Sequence, residues 1–178
     1  MTRVAACQIS LDIENPAQNI SRANQGISQA ISQGAQIIVL PELVNSGYAF
    51  TSVSEVQERS TTLDGELIAA WKEIAHKNDV VIVAGLALSV DSRLYNASVI
   101  IDKTGLLGWY AKVHLFGEEH QFFKTGDKPP LVVNTAHGRI ATMVCYDVEF
   151  PEWVRLAMLD RAALLAVPTN WPNLGQLI

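Results

Sequence analysis

Short, continuous apolar runs alternate along the chain with longer stretches whose apolar positions recur at helical spacing. RVAACQI, residues 3–9, predicts a first strand. Asn15 then offers an N-cap, Pro16 a first helical position and Gln18 a capping-box partner. Ile20, Ala23, Ile27, Ala30 and Ile31 follow at helical spacing, and Gly34 closes the helix. QIIVL, residues 36–40, predicts a buried strand, and a second helix is predicted from near Asp64 to Lys77. VVIVAGLAL, residues 80–88, is another buried strand. NASVIID and LLGWYAK flank a Thr104-Gly105 turn and predict a hairpin. PLVVNTAHGRIATMVC, residues 130–145, predicts two strands around His137-Gly138. A helix over 151–160 and a last buried strand, AALLAVP, complete the pattern. Buried strands interleaved with amphipathic helices predict an α/β fold, and the hairpins make its sheets mixed. Repeats, low-complexity segments and an interdomain linker are not visible, so one domain over 1–178 is expected.

Composition narrows the function classes. At 178 residues, 49% hydrophobic and 17% charged, the chain is globular rather than disordered. The net charge is −5 and the 13 Lys and Arg are scattered, so a nucleic-acid partner is not expected. The N-terminal apolar run is too short for a signal peptide, and VVIVAGLALSV is about half the length a bilayer needs. No membrane association and a cytoplasmic location are expected, with Cys7 and Cys145 as reduced thiols. Cys7 alternates with apolar neighbours in the first strand and reads as core packing.

In α/β folds, chemistry collects where strands end. Three strand ends carry reactive groups: Glu42 after IIVLP, Lys112 at the end of WYAK and Cys145 after TMV. Taken singly, each is an ordinary polar residue where a strand emerges. Together they fit one mechanism. A neutral thiol needs a base, a carboxylate in a desolvated pocket becomes basic enough, and a lysine offers donors to an oxyanion.

LPEL with Glu42, KVHLF with Lys112 and CYDVEFPE with Cys145, in that order, resemble the signature of the nitrilase superfamily, the carbon–nitrogen hydrolases. FFKTGD, residues 122–127, is similar to the family's stretch after the lysine. The resemblance covers essentially the whole chain. It implies an α-β-β-α sandwich of two mixed sheets with helices outside. It implies Glu42 as general base, Cys145 as nucleophile, and Lys112 with the backbone N–H of Tyr146 as oxyanion donors. It places a second glutamate at Glu119, orienting the lysine, in preference to Glu118, whose offset differs. Asn170 and Trp171 in VPTNWP, and Tyr48 in NSGY, would border the substrate pocket. The implied reaction is hydrolysis of a small-molecule amide through a Cys145 thioester, releasing ammonia, with no metal or organic cofactor. N-carbamoyl compounds and nitriles are alternative substrates. Tyr146-Asp147, where the nitrilases proper carry Trp-Glu, favours the amidase branches.

Two other readings compete. His114, His120, Glu118 and Cys145 are zinc-ligand types, but the histidines lack a paired metal spacing. A binding or assembly protein on the same fold would not need Glu42, Lys112 and Cys145 all intact. Family members continue well beyond this length, so the fold is expected to lack its C-terminal part. The resulting open sheet edge and uncovered apolar surface predict a homo-oligomer or aggregation, with weak turnover.

Overall fold

The apolar runs become strands that face two different cores. The structure, a computed structural model, describes residues 1–171. The last residue of the VPTNWP stretch, Pro172, lies outside them. Strands β1 (Val4–Ala6), β2 (Ile37–Val39), β3 (Val81–Val90), β4 (Arg93–Asp102) and β5 (Gly105–Ala111) form one sheet in that spatial order. β1, β2 and β3 are parallel, β4 runs antiparallel to β3, and β5 antiparallel to β4. β6 (Leu131–Thr135), β7 (Gly138–Thr142) and β8 (Leu164–Ala166) form a second mixed sheet. The helices are α1 (Pro16–Ser32), α2 (Val53–Arg59), α3 (Glu66–Asn78) and α4 (Pro151–Leu159).

Alternation along each strand sorts side chains between layers. Ile38, Ile82, Ala84, Val99 and Ile101 pack against Ala23 and Ile27 of α1 and Ile68, Trp71 and Ala75 of α3. Their neighbours Ile37, Val81, Val83 and Ile100 point the other way and meet Ile140 and Ala166 of the second sheet. Beyond that sheet, Ala141 packs with Ala157 of α4. The result is the expected α-β-β-α order of layers. Each large apolar side chain buried between layers contributes about 1.5–3 kcal/mol. Among the polar groups that enter, the Trp71 indole N–H donates to Asn24 Oδ1 at 2.9 Å, and Ser98 and Thr142 hydroxyls join across the two sheets at 2.7 Å.

Local chemistry explains both the agreements and the departures. Asn15 caps α1, its side chain accepting from the Gln18 N–H, with Pro16 in the first turn. β1 is shorter than RVAACQI because it pairs only with the three residues of β2. The sheet contact nevertheless continues one residue further, with Cys7 N–H donating to Val39 O at 2.9 Å. β3 and β4 are longer than expected and form one hairpin, closed by Asp91 and Ser92 at φ 49° and 59°. That two-residue turn uses residues tolerant of left-handed φ without the usual glycine. α2 lies outside the sequence expectation although its signal is present. Ser52 accepts from Glu55 N–H at 3.2 Å, a Ser-x-x-Glu start to a seven-residue helix.

Two glycines set how closely the site-bearing turns approach the sheet. A Cβ on Gly85 would lie 2.4 Å from the Glu42 Cα, and one on Gly126 would lie 2.2 Å from the Ala111 carbonyl oxygen. Both neighbours are backbone, so relief requires moving the turn that carries Glu42 or the strand end before Lys112. Gly85→Ala and Gly126→Ala are each expected to lower stability by about 1–3 kcal/mol and to reduce turnover beyond that loss. Thermal unfolding alongside kcat measured well below the transition checks both parts.

Candidate active site

β2 ends at Val39, and Pro41 stops the strand before Glu42. The turn that follows is held to β3: Gly85 N–H donates to Pro41 O at 3.1 Å and Val44 N–H to Gly85 O at 2.9 Å. Asn45 extends this pairing with its side chain, donating to Ala87 O at 3.0 Å and accepting from Ala87 N–H at 2.9 Å. Leu43, at φ 52°, makes the reversal that leaves Glu42 pointing inward, 0% exposed. Lys112 follows β5 and is fixed at both backbone groups, its N–H donating to Asn96 O and its carbonyl accepting from Gly126 N–H. Its side chain is also 0% exposed. Cys145 leaves the second sheet at φ 44° and opens a short 3-10 turn, Cys145–Glu149. A β-carbon in this left-handed region costs about 1–2 kcal/mol. The turn is pinned by Cys145 N–H donating to Pro168 O at 3.0 Å.

The three strand ends meet. Lys112 Nζ donates to Glu42 Oε1 and to Glu119 Oε1, both at 2.8 Å. Glu119 sits in a second 3-10 turn, Gly117–Gln121, and its Oε2 accepts from Phe116 N–H at 3.1 Å. Tyr48 OH donates to Glu119 Oε1 at 2.5 Å. The Cys145 thiol lies near enough to Glu42 for that carboxylate's charge to raise its pKa. Glu118 is exposed and takes no part in these bonds with Lys112.

Asn96, in the middle of β4, completes the arrangement and was not among the residues expected. Its amide donates to Glu42 Oε1 at 2.7 Å and to Glu119 Oε1 at 3.2 Å. Two acceptors on that side fix the amide orientation, since the flipped form would aim its oxygen at both carboxylates. The consequence is that Asn96 Oδ1 has no hydrogen-bond partner among the described residues. The available signal was a lone amide inside the apolar run LYNASVII. A buried polar residue is more informative than any exposed one.

Electrostatics follow from two carboxylates sharing one buried cation. Burial raises the Glu42 pKa, and the charge of Glu119 adds to it. Lys112 and Asn96 oppose the rise but do not cancel it. Burial alone would lower the Lys112 pKa, yet the two glutamates outweigh it and hold it above the ordinary value. Lys112 therefore stays charged. The Cys145 thiol is pushed up to about 12, by burial first and then by the charge of Glu42, with the Lys112 charge opposing the rise. At neutral pH it is a thiol beside a carboxylate, not a preformed thiolate.

The remaining expected residues are placed as follows. Tyr48, Glu119 and Phe116 line a cavity of about 260 Å³ with Phe50 and Phe122. Tyr146 is half-buried, with its ring edge-on to Phe116 at 5.1 Å. Asn170 reaches the site through its backbone, its N–H donating to Glu42 Oε2 at 3.1 Å. Trp171 is 50% exposed and lines a different cavity, of about 430 Å³, with Cys7, Leu40 and Pro41. His114 and His120 do not converge: His114 Nδ1 pairs with Asp147 at 2.7 Å, and His120 Nδ1 bonds to Gly117 O. No helix among the described residues is long and apolar enough to cross a membrane.

The carbon–nitrogen hydrolase family model matches residues 3–177, and the chain belongs to this family, in the amidase-like branch of the nitrilase superfamily. It is 37% identical over 171 residues to a nitrilase of Pyrococcus abyssi, covering 96% of this chain and 65% of that protein. It is 32% identical over 174 residues to a 2-oxoglutaramate amidase of Bacillus subtilis, covering 95% of this chain and 65% of that one. Among solved structures, a mutant of the Nesterenkonia sp. AN1 amidase superposes with a TM-score of 0.79 at 29% identity, over 95% of this chain and 67% of the other. That structure shows acrylamide added at the active-site cysteine. The chain thus spans about two thirds of the length of the relatives it matches.

Proposed function

We propose that the protein hydrolyses the C–N bond of a small amide through a thioester on Cys145. One observation carries this reading: a fully buried lysine bonds two glutamates at 2.8 Å each, and one of those glutamates faces a thiol. Glu42 takes the thiol proton as Cys145 Sγ bonds to the carbonyl carbon. The carbonyl oxygen becomes an oxyanion, met by Lys112 Nζ and the Tyr146 N–H. Tyr146 stands at the start of a 3-10 turn, where N–H groups lack partners inside the turn. As the tetrahedral adduct collapses, Glu42 gives its proton to the leaving nitrogen and ammonia departs. Water then loses a proton to Glu42 and attacks the thioester. The second adduct releases the carboxylic acid, and the sulfur recovers its proton. Glu119 keeps Lys112 charged and in place throughout.

The relatives include proteins called nitrilase and 2-oxoglutaramate amidase, so the reading extends to a choice among amides, N-carbamoyl compounds and nitriles. Ammonia release over such a panel, with intact-mass detection of an acyl adduct on Cys145, tests it. An adduct and ammonia from one amide class support the reading. Turnover without any covalent adduct on Cys145 overturns it.

Every proton and charge in this scheme is handled by a side chain or a backbone N–H. Exhaustive dialysis against a chelator is therefore expected to leave the rate unchanged, while thiol alkylation removes it. A rate lost to the chelator and restored by zinc would contradict the scheme.

A further inference from the structure

Asp147 has no part in the mechanism above, yet its carboxylate is 0% exposed and accepts four donors. Oδ1 accepts from the His114 backbone N–H at 2.9 Å and from His114 Nδ1 at 2.7 Å. An acceptor-only carboxylate assigns the proton to Nδ1. Oδ2 accepts from Tyr110 OH at 2.8 Å and Val144 N–H at 3.1 Å. The second contact of each ring is also fixed. Trp153 Nε1 donates to Tyr110 OH at 2.8 Å, and the His114 ring stacks on Phe150 at 3.7 Å.

The order of these residues along the chain gives the knot its meaning. Tyr110 and His114 flank Lys112, each two positions away, while Val144 and Asp147 flank Cys145. One carboxylate therefore ties both sides of the lysine to both sides of the cysteine. The two residues arrive from different sheets, and among the described residues no strand pairing between those sheets sets their distance. We infer that Asp147 is a positioning residue: through His114 and Tyr110 it fixes the Lys112 ammonium against the Cys145 turn, and so builds the oxyanion site. This rests on the reading of Lys112 and the Tyr146 N–H as oxyanion donors. Displacing a donor by even about 1 Å weakens such a site strongly, because the donors must meet the oxygen as charge develops.

A carboxylate that merely stabilises the fold would affect every reaction of the thiol alike. The test compares two reactions of Cys145 that differ only at the carbonyl oxygen. With acrylamide, sulfur bonds the terminal vinyl carbon, the alkene pair moves toward the carbonyl and an enolate oxygen forms. Glu42 holds the thiol proton until the enolate carbon takes one up. With iodoacetamide, sulfur displaces iodide and the carbonyl oxygen gains no charge.

In Asp147→Asn, His114→Phe and Tyr110→Phe, the ratio of the acrylamide rate to the iodoacetamide rate is expected to fall about ten-fold or more. kcat should fall with it while KM changes little. His114→Phe keeps the stack on Phe150 and Tyr110→Phe keeps the ring, so these two carry the test if Asp147→Asn does not fold. Adding His114→Phe to Asp147→Asn should cost little more than Asp147→Asn alone, because both break the same link. Folded variants in which the two alkylation rates are unchanged, or fall together, overturn the inference. The parent reading is checked separately on the wild-type protein. A trapped acyl adduct there with an unchanged ratio in the variants rejects the clamp alone, and turnover without an adduct rejects the parent reading whatever the ratio does.

Discussion

Glu42→Gln is expected to abolish amide turnover while the protein remains folded. In the proposed mechanism the carboxylate serves as base for the thiol, as acid for the leaving nitrogen and as base for water. Removing a single general acid–base role costs about 10²–10⁴-fold. Here one carboxylate fills three such roles in the proposed mechanism, so the loss should exceed about 10³-fold. Glutamine is nearly isosteric, and its amide oxygen can still accept from Lys112 and Asn96. Its NH₂ then faces the Asn170 N–H, which donates to Glu42 Oε2 in the wild-type protein. That mismatch costs about 1–3 kcal/mol of stability, less than a typical domain has in hand. A reactive ester separates the two half-reactions. It should acylate Cys145 in the variant slowly, and the acyl adduct should then persist where the wild-type adduct is hydrolysed. Wild-type turnover by Glu42→Gln would remove this residue as the base.

The same carboxylate sets the acid limb of the pH profile. In the proposed mechanism the active form has Glu42 deprotonated, and burial raises its pKa. Activity should therefore rise with pH through a midpoint above the ordinary carboxylate range. Lys112 is held above its usual value and the thiol is pushed up to about 12, so neither titrates near neutrality. A plateau from neutral into mildly alkaline pH is the expected shape.

The three groups that converge in the candidate site were legible in the sequence because each follows a buried strand, and strand ends are where this class of fold exposes chemistry. Glu119 was legible only by resemblance, since a glutamate in a polar loop beside Glu118 carries no signal of its own. Its choice over Glu118 agrees with the contact it makes to Lys112. Asn96 and Asp147 escaped for a common reason. Each acts through partners distant in the chain, and only the packing of the strand ends shows that Asn96 bridges two glutamates or that Asp147 gathers four donors. Fold class followed from periodicity, but the lengths of β1, β3 and β4 did not. Strand length depends on the partner available, and the Asp91-Ser92 turn lacks the glycine that usually marks a hairpin. Trp171, expected at the pocket from its place in a family motif, lines the cavity beside Cys7 together with Asn170.

Cys145→Ala should be inactive, and Cys7→Ala should turn over like the wild-type protein. Both are free thiols, so the contrast rests on their surroundings. Cys7 follows the edge strand β1 and is half-buried among apolar groups with no charged partner, and burial alone raises its pKa. Cys145 faces Glu42 and Lys112. Removing its sulfur deletes the atom proposed to form the thioester, so no covalent adduct and no ammonia are expected. The backbone supplies a second, independent signature. Cys145 holds φ at 44°, where a β-carbon is disfavoured and glycine is not. Alanine keeps that β-carbon and leaves the strain in place. Cys145→Gly should therefore be more stable than Cys145→Ala, by about 1 kcal/mol, though equally inactive. Thermal unfolding of the two variants, measured beside ammonia release, checks this. Equal stability would mean that the turn carries no strain at this residue, and near-normal turnover in either variant would remove Cys145 as the nucleophile.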